Sequence, residues 1–313
     1  MLQVGDRLLT VGKPGNASQW DAYANKTLIV DAIDGCVCIS YAGLAHIAGQ
    51  PTDEWLARAL TKAVWPLDGL LTTRLPSLGL TLGNVCGEII RAIERDFLME
   101  SDANRALHIE VLIAGWSWKP LRNNGRRGPA TFARMISHDG SLDRRCTVTS
   151  IPPMPFEERS TRWRYLAIGK TDIVDERCNN LKELYTQDPP RADLRADDIE
   201  EILVSDIRAG AAALGGDVIG TECMAVYLPL RTAIRVRFFR DPTLAETKTG
   251  FTPWYINTFG SVAKPGYLTG TGWTIGSRTM ADEMGPVISF EVVPPLPGGN
   301  IREWGPRSNR PLN

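Results

Sequence analysis

NKTLIVDAIDGCVCISYAGLA, residues 25–45, decides how the rest of the chain is read. Asp34-Gly35 divides two short runs, TLIVDAI and CVCISYAG, both rich in β-branched and apolar residues. An Asp-Gly between runs of that kind predicts a hairpin, with strands over 27–33 and 36–43. A strand pair this early, before any helix signal, directs attention to what stands ahead of it. MLQVGDRLLT, residues 1–10, opens in the middle of a strand-like run, as though it were the second half of a unit.

Downstream of the hairpin the period changes. Thr52 and Asp53 can cap a helix over EWLARALTKAV, where Trp55, Leu56, Ala59, Leu60 and Ala63 share one face. Val85, Ile89, Ile90, Ile93 and Phe97 predict a second helix over about 84–99, lying beside the first. LHIEVLIAGW (107–116) is short, β-branched and apolar on both faces, which predicts a buried strand. ATFARMISHDGS alternates and closes on Asp139-Gly140, and RWRYLAIG (162–169) is a further strand candidate. Asp197, with Glu200 three positions on as in a capping box, then opens an amphipathic helix with Ile199, Ile202, Leu203, Ile207 and Leu214 on one face, and TECMAVYLPL and TAIRVRFF read as a strand pair. Residues 241–313 hold 9 of the 21 prolines and 10 of the 29 glycines, so long helices are disfavoured there and an extended C-terminal extension is expected. The domain organisation that follows is 1–240 and 241–313. Helices separated by blocks of strands, rather than a helix after each strand, predict an α+β chain built as a four-layer αββα sandwich.

Composition excludes several classes. The formal net charge is −1, so no basic field favours phosphate backbones or anionic lipid, and neither nucleic acid nor membrane is an expected partner. No run of eighteen apolar residues and no signal-peptide order is present, and the expectation is a cytoplasmic protein. Six cysteines scattered over 313 residues suit reduced thiols; Cys36 and Cys38 form only a CxC, so no metal is expected. His46, His108 and His138 are too few and too dispersed for a metal cluster. GKT at Gly169–Thr171 lacks the upstream glycine of a phosphate loop, since Arg164 stands there, and no cofactor is expected.

Taken together, several segments carry a resemblance. VGDRLLT resembles the Asp-x-Arg-x-Thr type segment near the start of proteasome-type β subunits and their bacterial relatives, the N-terminal-nucleophile hydrolases. NKTLIVDAIDGCVCISYAGLA is similar to the segment that follows it in that family, and HIEVLIAGW, PATFARMISHDGS, YLAIG and IRAGAAALGGDVIGTECMAVYL resemble later landmarks in the same order. The resemblance covers roughly residues 1–240. It implies hydrolysis of a peptide or amide bond by a terminal threonine whose own amine takes up the hydroxyl proton, and it implies assembly into a homo-oligomer. It further implies a lysine, Lys26, that lowers the pKa of that amine and hydroxyl, and an aspartate, Asp6, that holds the lysine. Gly43 matches the backbone donor to the oxyanion. Asp217 matches a further supporting aspartate, although Gly220 stands where a serine is expected. Thr10 and Ala45 match the substrate-binding positions, the one for substrate backbone and the other for the floor of the side-chain pocket.

The nucleophile is where the sequence departs from this pattern. Only MLQVG precedes Asp6, too short for a strand and a hairpin turn, so the chain reads as beginning on the second strand of a hairpin. Two explanations stay open. Either the start is placed too far downstream, or the chain is a relative without catalysis that serves as an assembly or binding module. As written, the polypeptide is expected to be inactive. Cleavage within the chain at Gly35-Cys36 or Gly220-Thr221 would create a new terminal nucleophile, but both sites fall in predicted strands or turns without the other site residues, and the sequence alone sets this route aside.

Overall fold

A computed structural model describes residues 1–6, 8–11, 18–21, 26–61, 80–118, 129–153, 166–169, 196–214, 219–229, 234–239, 256–259, 262–265, 274–276 and 287–293. The hairpin at its centre is β4 (Thr27–Ala32) and β5 (Gly35–Gly43), antiparallel, with Thr27 opposite Ser40 and Ala32 opposite Gly35. The turn is therefore Ile33-Asp34, one residue earlier than the Asp-Gly pair predicts. Asp34 explains the shift: its Oδ1 accepts the Leu82 amide at 2.7 Å and its carbonyl accepts the Trp118 amide at 2.7 Å, so both its polar groups are committed outside the hairpin.

Around this pair the chain builds a seven-stranded sheet in the order β10-β9-β8-β5-β4-β14-β13. Its other strands are β8 (Ile109–Ser117), β9 (Ala130–His138), β10 (Thr147–Ile151), β13 (Ile256–Phe259) and β14 (Val262–Pro265). A five-stranded sheet has the order β1-β11-β12-β16-β15, from β1 (Leu2–Asp6), β11 (Cys223–Tyr227), β12 (Ile234–Phe239), β15 (Thr274–Gly276) and β16 (Val287–Val293). Two small ribbons complete the strands, β2 (Leu9–Val11) with β3 (Ser18–Asp21), and β6 (His46–Ile47) with β7 (Gln50–Pro51). The pairings are antiparallel throughout, and the fold is α+β.

Among the described residues the helices are α1 (Thr52–Thr61), α2 (Leu82–Arg95) followed by a 3-10 turn (Phe97–Met99), the short α3 (Asp102–Arg105), and α4 (Ala196–Leu214). Helix α2 starts two residues before its predicted boundary because Thr81 caps it, its hydroxyl accepting the Asn84 amide. Trp55, Leu56, Leu60, Val85, Ile89, Ile93 and Phe97 pack against Leu28, Val30, Val37, Ile39, Ile109, Val111 and Ile113. Strand alternation sends Ile29, Cys36, Cys38 and Trp116 to the opposite face, where they meet Met224, Val226, Leu228, Ile234, Val236 and Phe238 of the second sheet. Trp116 Nε1 donates to the Leu228 carbonyl at 2.8 Å and ties the two sheets together. On the far side of the five-stranded sheet, Val204 and Ile207 of α4 pack on Cys223, Ala225, Phe239, Leu2 and Val4.

Several expectations are corrected. Leu166–Gly169, the described end of the RWRYLAIG candidate, is irregular rather than strand, with the Gly169 amide donating to Glu110 Oε2 at 2.7 Å; residues 162–165 lie outside the described residues. β10, which the sequence reading did not identify, is exposed along Thr147–Ser150. Leu214 is exposed rather than on the buried face of α4. Glu200, read as a helix-capping residue, is fully buried instead, with Arg235 on Oε1 and Arg237 on Oε2, each at 2.7 Å. Residues beyond 241 supply β14 to β4 and β16 to β12, so the extended segment is used as sheet.

Removing one member of a buried ion pair leaves its partners uncompensated, typically at a cost of about 3–5 kcal/mol. Glu200→Ala is accordingly expected to lower the free energy of unfolding by about 3 kcal/mol. Urea titration checks this, and a loss near zero would show that apolar packing alone fixes α4.

Candidate active site

Asp6 closes β1 and Lys26 immediately precedes β4, so the two residues stand at strand ends of different sheets. They meet: Lys26 Nζ lies 3.0 Å from Asp6 Oδ1 and 3.1 Å from Oδ2. The same Oδ2 accepts the Leu8 amide at 3.2 Å and the Gly220 amide at 3.0 Å. Both side chains are about four-fifths covered, at 20% and 19% exposure. An exposed pair of these residue types would contribute little to stability. Here the carboxylate gathers donors from three separated segments, and its effect is to fix where the ammonium stands.

Gly43 lies at the same end of the seven-stranded sheet. Because Thr27 faces Ser40, the position before β4 faces Tyr41, and Gly43 follows two residues along β5. Gly43 has φ +105, and a Cβ there would lie 2.2 Å from the His108 carbonyl oxygen, so only glycine fits. The turn after it is held by Thr52, whose hydroxyl donates to the Leu44 carbonyl at 2.6 Å and whose amide donates to the Ala45 carbonyl at 2.9 Å. The threonine read as a helix cap thus clamps the glycine turn. Ala45 sits half-buried in this turn. Thr10 lies on β2 in a separate ribbon, opposite Gln19, and Asp217 lies outside the described residues.

Gly220, which stands where the resemblance expects a serine, is a direct partner of Asp6. A Cβ at 220 would stand 2.6 Å from Leu8 Cβ, so a serine there is incompatible with Leu8 as placed. Arg208 of α4 was also missed; its Nε donates to the Thr221 carbonyl at 3.0 Å and its Nη2 to the Phe239 carbonyl at 3.4 Å. No local sequence signal marks it, since the contact depends on α4 packing against β11 and β12.

Three of the thiols are unsuited to nucleophilic work. Burial pushes Cys38 up to about 12, and Cys86 and Cys146 each up to about 11, so all three are held protonated at neutral pH. Among the described residues no group of three or more His, Cys, Asp or Glu is placed to hold a metal ion. Among them, too, no helix is long and apolar enough to cross a membrane.

Comparison with known proteins gives one result to set beside this geometry. No family model matches the sequence, and no curated protein matches it. A solved structure of an Anbu (Gly-1) mutant from Hyphomicrobium sp. strain MC1 is similar over 72% of this chain and 75% of that one, with 12% identity and a TM-score of 0.38. A likeness of that degree assigns no activity.

Gly220→Ala and Gly43→Ala are each expected to destabilise the chain by more than about 1 kcal/mol, the first by overpacking against Leu8 and the second by a forbidden φ. Thermal melts of the two variants check this. Cys38, Cys86 and Cys146 are expected to resist iodoacetamide in the native chain at about pH 8 and to react once it is unfolded. Mass spectrometry of the labelled peptides reads the outcome.

Proposed function

We propose that this chain is a proteasome-like N-terminal-nucleophile hydrolase domain, a four-layer αββα sandwich acting on peptide or amide bonds. The observation that carries the reading is the Lys26–Asp6 pair, joining the two sheets and completed by the Leu8 and Gly220 amides. The layer order has its support in the three apolar clusters, which pack helices, sheet, sheet and helix in succession.

In this reading Lys26 does not attack. Its ammonium lowers the proton affinity of an adjacent terminal amine and of the hydroxyl beside it, so that the amine accepts the hydroxyl proton as the oxygen adds to the substrate carbonyl. Asp6 is the positioning residue that keeps the ammonium from turning to solvent. The oxyanion that develops at the carbonyl is met by the Gly43 amide, at a turn held rigid by Thr52. Thr10 and Ala45 are the proposed contacts to substrate backbone and side chain, with Asp217 as a further support.

Methionine at position 1 does not supply the nucleophile. Met1 stands at the opposite end of β1 from Asp6, about 16 Å away at the usual rise of a strand, and its amine donates to the Leu228 carbonyl. The second reading is a non-catalytic assembly or binding module.

The two readings part on one experiment. A threonine-led strand and tight turn are joined ahead of Met1 behind a removable leader, and hydrolysis of a panel of peptidyl aminocoumarin amides is followed. The enzyme reading expects turnover that Lys26→Ala lowers at least about a hundredfold. No turnover from a folded protein assigns the chain to the module, and turnover insensitive to Lys26→Ala sinks the role given to Lys26.

A further inference from the structure

Glu110 puts a carboxylate on the inner face of the seven-stranded sheet, on the strand beside the Gly43 turn. We propose that this carboxylate selects substrates that carry a cationic side chain, a guanidinium or an ammonium, next to the amide bond to be cleaved. The inference rests on the hydrolase reading above and names the substrate class for that site.

The placement follows from strand register. β5 and β8 run antiparallel, with Gly43 opposite Ile109 and Ala42 opposite Glu110. Ile109, Val111 and Ile113 pack in the same cluster as Trp55, Val85 and Ile89 of the helices. Alternation therefore turns Glu110 the other way, toward the five-stranded sheet, as it does Trp116 further along the strand. This inner face is apolar where Ile29, Cys36, Cys38 and Trp116 meet the second sheet. Toward the Gly43 end it turns polar: the Thr27 and Ser40 hydroxyls share a hydrogen bond at 3.0 Å, and Ser137 of β9 stands opposite Glu110.

One oxygen of the carboxylate is anchored. Glu110 Oε2 accepts the Gly169 amide at 2.7 Å. Gly169 has φ +85, and a Cβ there would lie 3.3 Å from Ala42 Cβ, so the Gly169 segment lies over the residue that precedes Gly43. The side chain is thereby tethered beside the glycine turn instead of swinging into solvent. Its charge is not offset, since the Gly169 amide is its one polar partner among the described residues. The ammonium of the site is already committed, because Lys26 is held by both oxygens of Asp6. That pair is neutral as a unit, and Glu110 leaves the inner face with a net negative charge. A half-buried carboxylate with a single donor gains from a second, charged donor, and Oε1 is the atom left to receive it. A guanidinium offers several N–H groups in a rigid fork suited to that task, and an ammonium offers a compact charge.

The full chain is tested as it stands, by fluorescence polarisation with labelled tripeptide amides that differ only in a central arginine, norleucine or aspartate. The arginine peptide is expected to bind at least about tenfold more tightly than the norleucine peptide, with aspartate the weakest. The difference is expected to shrink as salt is raised to about 1 M. Glu110→Gln keeps an amide oxygen for the Gly169 N–H and removes the charge, so it is expected to melt as the parent does and to bind the arginine and norleucine peptides alike. A glutamate that served only to anchor the Gly169 segment would leave the preference intact in that variant. Should Glu110→Gln melt lower than the parent, the salt series on the parent decides alone. Equal binding of the three peptides, no binding of any, or an arginine preference that survives either high salt or Glu110→Gln overturns the proposal. Arginine-selective binding that needs Glu110, with no turnover from the threonine-led form, keeps the cation site and removes the hydrolase reading. Turnover from that form without arginine preference does the reverse.

Discussion

One carboxylate organises this molecule. Asp6 sits where the last residue of one sheet's edge strand meets the first residue before the other sheet's central hairpin, and it accepts from both sides. A buried or half-buried carboxylate needs several donors to offset lost hydration, and backbone amides are the donors that ask least of the surrounding structure. Once Leu8 and Gly220 are committed to Asp6, the ends of β1 and β11 are registered against each other. Lys26 then has a single place to stand.

The apolar packing fixes how the two sheets meet around that place. Trp116 and its neighbours hold the two sheets face to face, and the indole N–H reaching the Leu228 carbonyl fixes their offset. α4 bears on the outer face of the five-stranded sheet through Val204 and Ile207, and its buried Glu200 locks it to β12. Because Arg208 lies on the same helix, the packing of α4 also determines where the Thr221 carbonyl is held. The polar cluster and the core are thus coupled through one helix.

What the sequence disclosed depended on range. The β4–β5 hairpin, the apolar face of α2 and the doubly buried β8 were legible, because their signals are periodicities within ten or fifteen residues. Lys26 and Asp6 were legible as a pair through the resemblance of their segments. Glu200 was misread because its spacing from Asp197 imitates a capping box, and only Arg235 and Arg237, on a strand far along the chain, reveal its partners. Gly220 was noticed for the serine it lacks, whereas its bond to Asp6 spans 214 positions and leaves no local trace. β14 and β16 were hidden for a related reason: Pro- and Gly-rich composition suggests an extended chain but does not say which edge it will join.

That late joining governs how the protein is made. β4 pairs with Val262 and Ala263, and β12 pairs with Val287–Val292, so both edges wait on residues far along the chain. During synthesis the hairpin and α1 emerge from the ribosome with a β4 edge still bare, and it stays bare until β14, about 230 residues after β4, has been translated. Non-local pairing of this kind slows the final step and lengthens the interval in which a nascent chain needs a chaperone's protection.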